Sequence, residues 1–181
     1  MIIENPDLNL SYNQHKNFFG SGVIFDSNVL LIFFLDLYVK INPQKHYLLQ
    51  KINITASQIS CLNTIITNYK IKKIIITPHI LSEFLNRIRR DLKLDYKDIK
   101  KECLEDLKRM DEIYVHKNSM LSHSSFFDFG NDISLLIATE DQIQKNKYSC
   151  ILSFDGRFIE NFFRKNDNIL AFKLDTLQYF Y

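Results

Sequence analysis

The chain has 181 residues, 46% of them hydrophobic, with a formal net charge of +2 and only 4 Gly and 3 Pro. That length suits one domain with a full core, and the scarcity of Gly and Pro argues against a turn-rich β-sandwich and against disordered linkers. The small net charge leaves any nucleic-acid footprint local. Three widely spaced cysteines (Cys61, Cys103 and Cys150) with no C-x-x-C pair fit buried thiols in a reducing cytoplasm better than a disulfide framework or a zinc knuckle.

Residues 1–21 read as a polar, Asn-rich lead-in with no secretory signal. Gly22 to Phe25 is a short apolar run ending in Asp26-Ser27-Asn28, the pattern of a buried strand feeding a helix over Val29 to Val39. Asn42-Pro43 breaks that helix. Gln44 to Lys70 then reads as one or two helices, with Leu48, Leu49 and Ile52 on one apolar face and Ile59, Leu62, Ile65 and Ile66 on another. Lys73 to Thr77 is a second buried strand. Thr77-Pro78 starts a helix that runs to about Leu92, with Pro at its first position. A further helix is expected over Asp95 to Asp111, and a short strand over Ile113 to Val115. Gly130-Asn131-Asp132 opens a helix to about Gln144, with Ile133, Leu136, Ile137 and Ile143 inward. Ser149 to Phe154 is a strand, Asp155-Gly156 opens a short helix over Arg157 to Phe163, and Ile169 to Leu174 is the last strand. Alternation of this kind predicts an α/β fold with a mainly parallel sheet and helices on both faces. The expected organisation is one domain over residues 22–181, with a helical elaboration at 40–72. No stretch reaches the roughly 20 apolar residues that span a bilayer, so no membrane is expected.

Three acidic residues hold matching places in this pattern. Asp26 follows the first strand, Asp155 follows the strand ending at Phe154, and Glu83 lies in the second turn of the helix after Lys73 to Thr77. The C-terminal ends of parallel strands share one edge, and ligands bind there. Asp26, Glu83 and Asp155 are therefore expected to converge, joined by Asp132 if its helix starts at the same edge. Clustered carboxylates repel, so they take up protons or bind a cation. Oxygen donors without a Cys or His set select a hard ion, Mg2+ or Mn2+. A site of that kind suits phosphodiester hydrolysis. Each acid also has an ordinary structural role open to it. Asp26 and Asp155 could cap helices, Asp132 could be a favourable first-turn charge, and Glu83 could face solvent.

Four segments in order resemble the PIN-domain family: GVIFDSNVLL (22–31), ITPHILSEFL (76–85), FGNDISLLIAT (129–139) and CILSFDGRF (150–158). The resemblance implies a Rossmann-like α/β/α sandwich and Mg2+- or Mn2+-dependent endonucleolytic cleavage of single-stranded RNA. It assigns the metal-binding and catalytic acids to Asp26, Glu83, Asp132 and Asp155, with Asp132 preferred over the neighbouring Asp128. It also implies supporting polar groups at Ser27, Asn28 and Ser153. The compact toxins of toxin–antitoxin modules share these features, and the longer stretch at 40–72 departs from them. The implied role is a toxin or defence effector in the cytoplasm, restrained by an inhibitory antitoxin-like protein whose Arg or Lys enters the acidic cleft. The apolar stretch Gln44 to Lys70 would dock that partner or a second copy as a homodimer, or else pack on the chain's own sheet. A structure-specific DNA nuclease would carry more acids for a second metal. A non-catalytic PIN-like module that binds RNA or protein would have lost some of the four.

Basic residues follow Glu83. Arg87 and Arg90 are candidate contacts to the RNA backbone, whereas Lys97, Lys100, Lys101, Lys108 and Arg109 fit a solvated face better. His79 shares a helix face with Glu83 and is expected to bond the backbone at the helix start. Phe126, Phe127 and Phe129 are expected in the core rather than as a base-stacking platform.

Overall fold

Val23–Phe25 and Ser149–Ser153 are buried at every position, with no polar alternation. Strands of that kind belong at the centre of a sheet covered on both faces. The computed structural model describes residues 2–3, 17–94, 99, 101–124, 132–156, 159 and 169–173, and it puts both runs at the sheet centre. Six strands pair in parallel: β1 (Ile2–Ile3), β2 (Val23–Phe25), β3 (Ile74–Ile76), β4 (Asp111–Glu112), β5 (Ser149–Ser153) and β6 (Ile169–Lys173). Their order is β1-β6-β5-β2-β3-β4. With the flanking helices this is a Rossmann-like α/β/α sandwich.

The winding reverses at one place. From β2 the chain moves outward through β3 to β4, then returns to β5 on the other flank of β2 and continues to β6. The crevice between the C-terminal ends of β2 and β5 is the point where the winding changes direction. Doubly wound sheets bind their ligands at such a point.

Helix α1 (Ser27–Ile41) begins directly after β2. Leu30, Leu31, Phe34, Leu35 and Tyr38 are all buried. A helix apolar around most of its girth is enclosed on several sides. The sheet lies on one side. Helices α3 (Ala56–Asn68) and α4 (Pro78–Arg87) pack against the others. Phe34 of α1 meets Phe84 of α4 edge to face, with ring centroids 5.3 Å apart, which registers the two helices against each other.

Residues 40–72 fold back on this core. A 3-10 turn (Pro43–Lys45) and the short helix α2 (Tyr47–Lys51) lead into α3, whose start carries a complete capping box between Thr55 and Gln58. Leu48, Leu49, Leu62 and Ile65 are buried. These buried residues pack towards α1, whereas the sequence expectation for Gln44 to Lys70 is packing on the sheet or docking of a partner.

Several elements differ from the sequence expectation. Strand β1 forms within the polar lead-in, where two isoleucines are too few for a periodic signal. Strand β4 falls on Asp111–Glu112 rather than Ile113 to Val115. It is an exposed edge, where short charged strands deter further pairing. Helix α4 is continued by a π-helical turn (Ile88–Leu92) that ends on left-handed Lys93. The helix expected over Asp95 to Asp111 is present as α5 (Lys101–Lys108), and a short helix, α6 (Lys117–Ser122), was not anticipated. Helix α7 (Ile133–Asn146) matches its expectation, with Ile133 and Leu136 buried and Ile137 and Ile143 packed against the core. Phe126, Phe127, Phe129 and Asp128, and most of the helix expected over Arg157 to Phe163, lie outside the described residues.

Gly22 turns the chain into β2 with a φ of +99°, and a Cβ there would stand 2.7 Å from Ile75 Cδ1. Gly22→Ala combines backbone strain with overpacking. It should lower stability by about 1–3 kcal/mol, read as a shift in the urea midpoint. An unchanged midpoint would show that the β2 entry relaxes freely.

Candidate metal centre

Each of the four acids belongs to a different element. Asp26 is the residue between β2 and α1, and it is 5% exposed. One oxygen caps α1, accepting from Val29 N at 2.7 Å. The other accepts from the Ser153 hydroxyl and from Phe154 N at 3.2 Å, both at the end of β5. Burial raises its pKa above the ordinary carboxylate value, and the donors from Ser153, Val29, Phe154 and Asn28 oppose that rise.

Asp155 is exposed, two residues past β5. Ser153 links it to Asp26: the hydroxyl that donates to Asp26 accepts from Asp155 N at 3.0 Å. Glu83 is partly buried on α4, next to Phe84, which is fully buried against Phe34. Asp132 occupies the cap position of α7, yet its side chain makes no capping bond. The carboxylate is therefore not engaged in holding the helix end.

Asp132 reports on the other three. Its pKa is pushed up to about 6, first by burial and then by the negative charges of Asp26, Asp155 and Glu83. Residues at 26, 83, 132 and 155 thus share one field, as the sheet topology requires. Among the described residues no three His, Cys, Asp or Glu side chains are grouped tightly enough to hold an ion as they stand. The charges of Asp26, Asp155 and Glu83 nevertheless act on Asp132. Carboxylates without a Cys or His partner are the donor chemistry of hard divalent cations such as Mg2+.

The supporting residues divide. Ser153 has the expected role. Ser27 is buried in the first turn of α1, and among the described residues its hydroxyl bonds none of the acids. Asn28 turns to Arg87, accepting from its Nη1. Arg87 also donates from Nε to Asp91 at 3.5 Å, and exposed Arg90 binds the same Asp91 at 2.6 Å. Asp91 is held below the usual carboxylate range, chiefly by Arg90. Glu83 in turn acts on Arg90, so these cations border the acidic field. The ring nitrogen Nδ1 of His79 is buried without a hydrogen-bond partner, so the backbone bond expected at this helix start is not made by that atom.

One pair was missed from sequence. Thr77 caps α4, accepting from Ile80 N at 3.2 Å, and its hydroxyl meets that of Ser134 in α7 at 3.2 Å. Both are fully buried. This contact registers the helix carrying Glu83 against the helix that follows Asp132. Thr77-Pro78 was visible as a helix start, whereas nothing in the sequence marked Ser134 as its partner.

No family model, curated protein or solved structure matches the chain. No helix among the described residues is long and apolar enough to cross a membrane.

The acidic field has a thermodynamic consequence. Between the ordinary carboxylate range and about pH 6 the folded chain holds a proton on Asp132 that the unfolded chain releases. Bound protons in excess in the folded state mean that stability falls as pH rises through this window. Asp26 is shifted in the same direction. In EDTA the protein should therefore be less stable at pH 7 than at pH 5, and Asp132→Asn should shrink that difference. Urea unfolding at the two pH values measures it. A wild-type protein more stable at pH 7, with no change in the variant, would contradict the shared field.

Proposed function

We propose that this chain is a PIN-domain-like nuclease, a Mg2+- or Mn2+-dependent endoribonuclease acting on single-stranded RNA. The observation that carries this reading is the placement of Asp26 and Asp155 after the adjacent strands β2 and β5 at the switch point, joined through the Ser153 hydroxyl, with the charges of both acting on Asp132. The four-segment resemblance supports it. A divalent cation, when bound, would lower the pKa of a water and neutralise charge on the phosphate.

The protein's own share is positioning. Asp26 is held rigidly by donors from α1 and from the end of β5. Ser153 keeps the Asp155 backbone in register with it. Asp132, whose pKa is raised first by burial and then by the neighbouring charges, would be held ionised by a bound cation. Arg87 and Arg90 flank the acids and would take the phosphates on either side of the scissile bond, sharing their charge with Asp91. The three cysteines are all buried as thiols, which fits a reducing compartment. A nuclease of this kind needs restraint. An inhibitory partner would place Arg or Lys among the carboxylates, gaining charge-assisted bonds.

Asp155→Asn is the cleanest test, because Asp155 is exposed and its loss leaves the Asp26 cap intact. Together with Glu83→Gln it should reduce cleavage of single-stranded RNA at least about a hundredfold, as loss of a several-kcal/mol charge contribution implies. EDTA should stop the reaction and added Mn2+ should restore it. Cleavage in EDTA, or full activity in both variants, would defeat the assignment. Cleavage confined to branched DNA would redirect it to the flap-nuclease type.

Arg87→Ala combined with Arg90→Ala should flatten the dependence of log affinity on log salt by up to about 1.4, the release expected for two single-strand phosphate contacts. An unchanged slope would return both arginines to a role confined to Asp91 and Asn28.

A further inference from the structure

Beside the acidic edge lies an open pocket of about 270 Å3. One wall belongs to the candidate site. Asn28 is two residues past Asp26, Phe154 donates its backbone N–H to Asp26, and Arg87 lies one turn beyond Glu83. The opposite wall comes from the helical elaboration, where Asn53, Ile54 and Gln58 run from the link after α2 into the first turn of α3. That wall is preformed. Asn53 sits at a φ of +57°, with its N–H on Gln50 O at 3.1 Å, and Ile54 N–H reaches Leu49 O at 2.9 Å. Gln58 is fixed through the capping box.

The pocket's chemistry is specific. Arg87 gives one N–H to Asn28 and one to Asp91, which leaves further donors of its guanidinium unused. Asn28 accepts from Arg87 through Oδ1, so its amide N–H groups remain. Gln58 accepts from Thr55 N through Oε1 in the same way. Among the described residues the Asn53 side chain makes no hydrogen bond. Residues with unused donors thus line a space whose remaining walls, Ile54 and Phe154 among them, are apolar. Such a site fits a small, flat ligand that presents acceptors at its edge. The volume lies just under the range of drug-sized sites, which is room for one base and not for a long chain.

We propose that this pocket binds one base of a single-stranded substrate next to the scissile phosphate, and that it prefers a pyrimidine, whose carbonyl oxygens meet the amide donors. The inference rests on the nuclease reading for its place in a reaction, and residues 53–58 would then select substrate. Adenine presents no carbonyl and is larger, so it fits less well.

The test separates the two readings. The full chain in EDTA is titrated with fluorescein-labelled hexamers of oligo(U), oligo(C) and oligo(A), and anisotropy is followed. The pyrimidine hexamers should bind about tenfold tighter than oligo(A), the scale of one stacked and hydrogen-bonded base. Asn53→Gly keeps the left-handed backbone, removes the amide and should narrow that gap. Ile54→Trp fills the pocket and should abolish it. If circular dichroism shows that Ile54→Trp has not folded, Asn53→Gly decides alone. Equal affinity for the three hexamers, no binding to any of them, or an undiminished preference in the folded variants overturns the pocket. A preference in EDTA without cleavage in Mg2+ would keep the pocket and sink the nuclease, whereas metal-dependent cleavage without a preference would do the reverse.

Discussion

The architecture turns on one buried carboxylate. Asp26 sits where β2 ends and α1 begins, and its two oxygens face different elements: one caps the helix, and the other takes the hydroxyl of Ser153 and the N–H of Phe154 from the end of β5. The group therefore ties the central strand pair to the most enclosed helix. It does so at the one place where the winding of the sheet reverses. Capping and site-building are not alternatives at this position. A carboxylate can accept several hydrogen bonds at once, and the capping bonds are what hold it still.

The remaining acids are placed by packing at a distance from the crevice. Phe84 pinned on Phe34 sets α4, and with it Glu83. The Thr77–Ser134 contact sets the start of α7 against α4, and with it Asp132. These are buried and directional contacts, so they resist the repulsion they create. The result is a folded chain in which burial, and after it the charges of Asp26, Asp155 and Glu83, raises the pKa of Asp132. A cation or a cationic side chain would relieve that repulsion. Metal affinity and inhibition by a basic partner would then draw on the same stored energy.

Residues 40–72 show how an addition to a common core can acquire a second use. Their apolar faces close over α1, which accounts for Leu48, Leu49, Leu62 and Ile65. The short link between α2 and α3 is left at the rim of the acidic edge. There the left-handed Asn53 and the capping residue Gln58 border the pocket shared with Arg87. Turn chemistry needed to join two helices thus presents polar side chains toward the same space.

Much of this was legible in the sequence because it is local. Val23 to Phe25 and Ser149 to Phe154 announce buried parallel strands by their largely apolar, uncharged character, and Asp26 and Thr77-Pro78 announce helix starts by their capping chemistry. Those local signals by themselves put Asp26, Glu83 and Asp155 at one sheet edge. The two-residue strand Ile2–Ile3 and the charged edge strand Asp111–Glu112 escaped, because pairing with a neighbour and not their own pattern makes them strands. Only the tertiary structure decided that Arg87 turns to Asn28, that Ser134 meets Thr77, and that Asn53 borders the site. These contacts join residues dozens of positions apart or depend on how helices cross. Their energies come from side chains brought together by packing, for which no spacing along the chain is a code.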